Sequence, residues 1–304
     1  MATKKSNTNK PAQTAELSIN KTYKLFINGA FPRTESGLYF QLDNADGSFM
    51  ANMCLASRKD FRNAVVAARS AQQSWQDRAA FNRSQIVYRI AEMLDQKRDL
   101  FVSEMVAMGY GKSAAEKEFR ASVDLVVYYA GWCDKYAQVF SNVNPVASSH
   151  FNFSVPEPTG VVATMAANNV ALSGIIQAII PVISGGNTVV ALASEKYPAT
   201  AISFAEVLAT SDVPAGVVNI LTGKRAQLYT HFASHMDVNA VVIWDAAKDD
   251  TIKVGSLAAD SVKRTHFYES KNTITGNPDL IMNLQEIKTT WHPIQNISGS
   301  KSGY

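Results

Sequence analysis

Apolar positions follow a helical period from about residue 60 to residue 139, then switch to short continuous apolar runs alternating with helical ones. Leu25 to Gly29 predicts a short strand and turn, and Asp43 to Leu55 predicts irregular chain with one strand. Asp60 is placed to cap a helix reaching Gln76, with Phe61, Val65, Ala68 and Gln72 at helical spacing. A longer amphipathic helix is predicted over Asn82 to Ala107, ended by Gly109 and Gly111, and a third over Ala114 to Val139. The stripe Tyr128, Tyr129, Trp132 and Tyr136 on that third helix reads as core packing, with a ligand shelf the other option. Residues 142–156 alternate apolar and polar and predict a projecting hairpin.

Downstream the rhythm is strand–helix–strand. Strands are expected at Val161–Met165, Thr188–Leu192, Val217–Leu221 and Val238–Trp244, with helices at Leu172–Ile183, Thr200–Thr210, Ala226–Ser234 and Ile252–Val262. Continuous apolar strands alternating with helices predict an α/β fold: a Rossmann-like parallel sheet with helices on both faces. Ligands of such sheets bind beyond the carboxyl ends of the strands. Residues 284–294 add a C-terminal strand. The expected organisation is a flexible tail over 1–20, a nucleotide-binding fold over 21–271 including the hairpin, and a linker plus strand over 272–304.

Composition changes this picture little. The net charge of +3 is too small and too dispersed to argue for nucleic acid, and no apolar run is long enough to span a membrane. Two cysteines, Cys54 and Cys133, sit in unrelated contexts, which fits a reducing compartment, the cytoplasm, and no disulfide framework. Gly109-Tyr-Gly-Lys-Ser113 lacks the leading glycine of a phosphate loop. His231 and His235 have the spacing of helical zinc ligands, but no third ligand accompanies them.

Several segments carry a resemblance: Glu157-Pro-Thr-Gly-Val-Val-Ala-Thr-Met165, Ser184-Gly-Gly-Asn-Thr-Val-Val190, and above all Ser211-Asp-Val-Pro-Ala-Gly-Val-Val-Asn-Ile-Leu-Thr-Gly223. With Leu25-Phe-Ile-Asn-Gly29 and Tyr128-Tyr-Ala-Gly-Trp132, they resemble the aldehyde dehydrogenase superfamily over residues 22–268, most closely the shortened second unit of the aldehyde dehydrogenase 16 type. The resemblance implies NAD or NADP as cofactor, with Met165, Asn169, Ser194, Glu195 and Gly223 at the cofactor-binding positions. Asn169 matches the family's catalytic asparagine; its other reading is a cap on the following helix.

The departures point away from catalysis. Asn169 lies in Ala167-Asn-Asn-Val-Ala171, without the prolines and aromatics of the family turn. Leu192 replaces a ribose-contacting lysine, and Lys224-Arg225 replaces the end of a Thr-Gly-x-Gly turn. Trp244 and Asp245 stand where the family has a small-residue phosphate loop, so the indole would fill the phosphate space and the carboxylate would repel the anion. Glu269 is the nearest match to the family's general base, but without its glycine pair. Neither cysteine sits in a Gly-rich nucleophile loop. Strand 284–294 and the 142–156 hairpin resemble the family's oligomerisation strands. The expectation is therefore a catalytically inactive subunit that associates with and organises a full-length aldehyde dehydrogenase, or with its own copies, through an orphaned C-terminal strand. The alternatives are a dinucleotide sensor and an NAD(P)-binding oxidoreductase turning aldehydes into carboxylates.

Overall fold

The computed structural model describes residues 21–270 and 275–294. The expected tail over 1–20 and the end of the chain from 295 lie outside them. The first elements are a hairpin, β1 (Tyr39–Asp43) and β2 (Phe49–Cys54), where one strand was expected. Leu25 to Gly29 forms isolated bridges, Phe26 to Ile220 and Ile27 to Ala30, in place of a strand.

Helix α1 (Arg58–Gln76) is capped by Ser57, not by Asp60. Asp60 is the reciprocal partner: its carboxylate accepts from Ser57 N at 2.7 Å while Ser57 Oγ accepts from Asp60 N at 3.3 Å. The expected helix over 82–107 is two, α2 (Ala80–Asp95) and α3 (Arg98–Ala107), because Lys97 leaves helical backbone at φ −101°, ψ 20°. Buried Ile90, Leu94, Phe101 and Met105 keep the helical period across that break and so conceal it in the sequence. The third predicted helix also divides, at Gly131, into α4 (Lys112–Ala130) and α5 (Tyr136–Phe140).

The 142–156 region forms β3 (Asn142–Asn144) and β4 (His150–Pro158), paired antiparallel. Next come β5 (Val161–Met165), α6 (Leu172–Ser184), β6 (Thr188–Leu192), α7 (Pro198–Leu208), β7 (Val218–Leu221), α8 (Arg225–Ser234), β8 (Ala240–Trp244), α9 (Lys248–Ala259) and β9 (Arg264–Tyr268). The five strands form one parallel sheet in the order β7-β6-β5-β8-β9. Strand β9 was not foreseen. It is an edge strand whose residues are all half-buried, so it lacks the continuous apolar signature of its neighbours.

Alternate sheet residues enter two separate cores. Val162, Val189, Ala191, Ile220, Val242 and Trp244 face the core shared with α6, α7, α2 and α4. Val161, Met165, Val190, Leu192 and Ile243 face the core built with α1 and α8. Burial of both faces is what a parallel sheet covered by helices requires.

A short helix α10 (Asp279–Met282) leads into β10 (Gln285–Pro293). The expectation of an orphaned terminal strand is corrected here. Strand β10 pairs antiparallel with β4 from Gln285↔Pro158 to Pro293↔His150, giving a three-stranded sheet in the order β10-β4-β3. Asn187 Nδ2 donates to Leu284 O at 3.0 Å and Gln285 Nε2 to Gly185 O at 3.1 Å, tying this sheet to the main core. The outer edge of β10 has no strand beside it among the described residues. Ile287 and Trp291 on that strand are more than half exposed.

Burial would push the Asp60 carboxyl up, but hydrogen bonds from Thr34, Ser57 and Glu35 outweigh it and hold the group below the usual carboxylate range. A depressed acid stabilises the fold fully above its unfolded value near ~4 and loses that contribution as pH falls through its folded value. Asp60→Asn is therefore expected to cost about 1–2 kcal/mol at pH 7 and to flatten the pH dependence of the urea midpoint below pH ~4.

Candidate functional site

The sheet order places the point of strand reversal between β5 and β8: the chain runs from β5 outward to β6 and β7, then crosses back to β8. Beyond the carboxyl ends of these two strands lies the crevice where sheets of this kind hold dinucleotides. In this chain a side chain from α8 spans it. Thr222-Gly223-Lys224 turns the chain from β7 into α8. A side chain at Gly223 (φ 157°) would lie 3.3 Å from Ala56 N, so glycine keeps the turn tight against β2. Arg225 follows as the first residue of α8, and its guanidinium reaches across the strand ends. Nη1 donates to Trp244 O at 2.9 Å, and Nη2 donates to Ala166 O. It thus bridges the chain just past β5 to the last residue of β8. Burial weakens the hold of Arg225 on its proton, and Asp245, Glu195 and Asp250 oppose that effect.

The helix N-termini around the crevice are met by the protein's own carboxylates. Glu118, reaching in from α4, accepts from Ala171 N (2.9 Å), Ser173 N (3.1 Å) and Ser173 Oγ (3.0 Å) at the start of α6. Glu195 accepts from Arg225 N at 2.6 Å and pairs with Lys224 at 3.4 Å, at the start of α8. Asp249 and Asp250 occupy the first turn of α9. Helix N-termini attract anions through unpaired N–H groups and the macrodipole; Glu118 and Glu195 take up N–H groups at α6 and α8, while Asp249 and Asp250 oppose only the dipole of α9.

The sequence-predicted residues divide into three groups. Ser194, Glu195 and Gly223 come together at the start of α8 and the approach to α7. Ser194 Oγ accepts from Lys196 N and Tyr197 N and donates to Asn168 Oδ1 at 3.1 Å, so its hydroxyl is fully used in holding the loop before α7. Met165 and Leu192 turn into the core under α1 and α8. Asn169 is exposed and does not cap α6, the reading that the structure replaces: its side-chain oxygen accepts from Ser270 Oγ. Ser270 also donates from N (2.8 Å) and Oγ (2.8 Å) to the Asp245 carboxylate. Asp245 sits at φ 52°, a left-handed conformation that an aspartate tolerates better than most residues. The steric role expected of Trp244 belongs instead to Arg225. The indole lies on the α6 side of the sheet, tilted against Tyr268 at 5.1 Å. Arg225 and Glu118 were missed. The Lys224-Arg225 replacement was visible, but nothing local in the sequence encodes the reach of Arg225 to β5 and β8.

Neither thiol lies at this crevice. Cys133 is wholly buried behind α4, where burial pushes its pKa up to about 11. Cys54 is buried at the end of β2, with Sγ 3.7 Å from Tyr23 O, beside a cavity of about 540 Å³ under the β1–β2 hairpin. Glu269 is exposed and lines a separate cavity with Trp244 and Tyr268. Among the described residues no three His, Cys, Asp or Glu side chains converge as a metal site. No described helix is long and apolar enough to cross a membrane.

The model for the aldehyde dehydrogenase family matches residues 33–267. The chain is 29% identical over 255 residues to the cytosolic 10-formyltetrahydrofolate dehydrogenase of Mus musculus, covering 82% of this chain and 28% of that protein. It is 29% identical over 263 residues to aldehyde dehydrogenase 1A1 of Homo sapiens, covering 84% of this chain and 50% of that protein. Among solved structures, an indole-3-acetaldehyde dehydrogenase in apo form superposes with a TM-score of 0.77 at 27% identity, over 84% of this chain and 58% of that one. The NAD+ complex of the Bacillus cereus aldehyde dehydrogenase superposes with a TM-score of 0.78 at 24% identity, over 82% and 51%, and shares the fold. The chain therefore spans about half the length of such relatives, or less.

The burial of Cys133 has a direct readout. A thiol reagent added to the native protein at pH 8 should leave Cys133 unmodified, with reaction appearing only on denaturation; mass spectrometry of the labelled peptides checks it.

Proposed function

The chain belongs to the aldehyde dehydrogenase family, and from that premise we propose that it is a catalytically inactive family subunit that associates with a full-length aldehyde dehydrogenase in the cytoplasm and stabilises or organises it. The observation that carries this reading is the Arg225 guanidinium lying across the crevice between β5 and β8, hydrogen-bonded to Ala166 O and Trp244 O. A dinucleotide entering there must displace it and leave strand-end carbonyls unpaired, at roughly 1–3 kcal/mol for each group. Its phosphates would also meet the carboxylates of Glu195, Asp245 and Asp250, of which Glu195 is paired with Lys224. The residues present do not fit the cofactor's pyrophosphate.

Attack on an aldehyde by this family's route needs a thiolate at the crevice. The two cysteines of the chain are buried elsewhere. Asn169, matched to the oxyanion-stabilising position, is exposed, and with no thiolate at the crevice its amide N–H has no oxyanion to meet. The association half of the proposal draws on the outer edge of β10. An extended edge with exposed Ile287 and Trp291 has the form that strand addition from a partner sheet uses. A homo-oligomer is the other outcome of the same edge.

The second reading, an NAD(P)-binding oxidoreductase or sensor, has one physical foothold. A guanidinium released from its carbonyls is a good bidentate partner for a phosphate. Calorimetry separates the two readings: neither NAD nor NADP is expected to give saturable heat, and saturation by either dinucleotide would overturn the inactive reading. For the association, co-expression with a full-length aldehyde dehydrogenase from the same genome should give co-elution on a sizing column. Ile287→Lys with Trp291→Lys, exposed and so compatible with folding, should abolish it. Separate elution of the unaltered chain would count against the partner role.

A further inference from the structure

Where α8 ends, far from its Arg225 end, a second group of side chains converges. Arg58 and Arg62 lie one turn apart on α1, and His231, Ser234 and His235 lie at the close of α8. Together with Phe61 they line a pocket of about 150 Å³. From Arg225 to His231 the helix rises about 9 Å, so this place is distinct from the crevice.

The pocket has an unusual polar inventory. No carboxylate lines it. Every salt bridge among the described residues leaves Arg58 and Arg62 out. Neither guanidinium, nor the Ser234 hydroxyl, nor the His231 ring hydrogen-bonds to another described residue. His235 is held in place: its ring meets Phe61 edge-on at 5.7 Å, and Phe61 in turn stacks on Phe232 at 4.2 Å. Asp237 N donates to His235 Nδ1 at 3.2 Å, so the neutral ring carries its proton on Nε2, the nitrogen with no partner among the described residues. The result is a set of donors lining a small surface pocket, with Arg58, Arg62 and Ser234 exposed and no carboxylate among the lining residues. A cavity of about 150 Å³ is large enough to admit a small tetrahedral oxyanion.

We propose that Arg58, Arg62, His231, Ser234 and His235 form a binding site for a phosphate dianion, inorganic or as the monoester of a small molecule. Two guanidiniums offer bidentate donor pairs matched to phosphate oxygens, and the hydroxyl and His235 Nε2 supply single donors. Electrostatics agree with this assignment. Burial first, and then Arg58, hold the His231 ring below the usual histidine range. For His235, burial is offset in part by Asp237 and reinforced by Lys263 and Arg58. Cations crowded in this way are relieved by a dianion, which favours the protonated rings and raises their pKa values. Binding therefore takes up protons and strengthens as pH falls from 8 only as far as the phosphate keeps its second charge, which a monoester loses near pH ~6 and the inorganic ion at a higher pH.

The test follows the histidine ring protons of the full chain by NMR from pH 5 to 8, in inorganic phosphate and in chloride of equal ionic strength. Signals are assigned with His231→Gln and His235→Gln. The expected result is an upward shift of about half a pH unit or more for both rings in phosphate alone, absent in Arg62→Ala. Arg62 is exposed, and a circular dichroism spectrum matching the unaltered protein confirms that the variant folds. A parallel arm with glycerol phosphate separates the two sources: a larger shift than with inorganic phosphate assigns a monoester, and an equal or smaller one assigns the free ion. Superposable curves in phosphate and chloride, or an equal response from Arg62→Ala, would overturn the proposal. NAD titrated into the same sample acts at the other end of α8, so its result leaves this one standing.

Discussion

A parallel sheet whose connections diverge to both sides of one strand leaves a gap at the divergence, rimmed by backbone carbonyls that no neighbouring strand can pair. Something polar has to meet them: water, a ligand, or the protein itself. In this chain it is the guanidinium of Arg225, held between Ala166 O and Trp244 O. The surrounding polar side chains take their places around it. Glu195 sits on the amide of the same arginine, Asp245 turns to Ser270, and Ser270 links Asp245 to Asn169. A residue type that in other settings would bind a nucleotide here closes the fold over the gap.

The charge arrangement follows the same logic. Three helices begin near the crevice, and each has an acidic side chain at its start: Glu118 for α6, Glu195 for α8, Asp249 and Asp250 for α9. Glu118 and Glu195 accept hydrogen bonds from those helix starts and stabilise them by about 1 kcal/mol each, while Asp249 and Asp250 oppose only the α9 dipole; all four lower the positive potential that would draw in a diphosphate. Stability and ligand binding compete for one set of N–H groups, and in this chain stability holds them.

The central sheet was legible because four of its strands are apolar on both faces. Short apolar runs such as Val161–Met165 and Thr188–Leu192, rich in β-branched residues and set between longer helical periods, mark these strands. Strand β9 escaped notice because an edge strand with Arg264 and His266 at alternate positions carries no such run. The break at Lys97 was hidden by an apolar period that continues through it. Asp60 was recognised as a helix-starting residue yet assigned the cap that Ser57 fills, since both belong to one reciprocal motif and only geometry tells them apart. The crevice was legible through its substitutions and not through its contacts. Arg225 reaches chain 59 residues away in sequence, and Glu118 acts on a helix start 53 residues downstream.

The pairing of β10 with β4 joins the last described strand to one laid down far earlier in the chain. During synthesis β4 leaves the ribosome with only the three residues of β3 beside it, and its other edge stays open until the whole Rossmann-like region has followed. Phe151, Phe153 and Val155 line that edge in the interval. Long-range antiparallel pairing of this kind is slow to close and exposes an adhesive strand while it waits. The nascent chain thus depends on late-arriving residues to cover an early-made surface, which makes the order of emergence a hazard built into its topology.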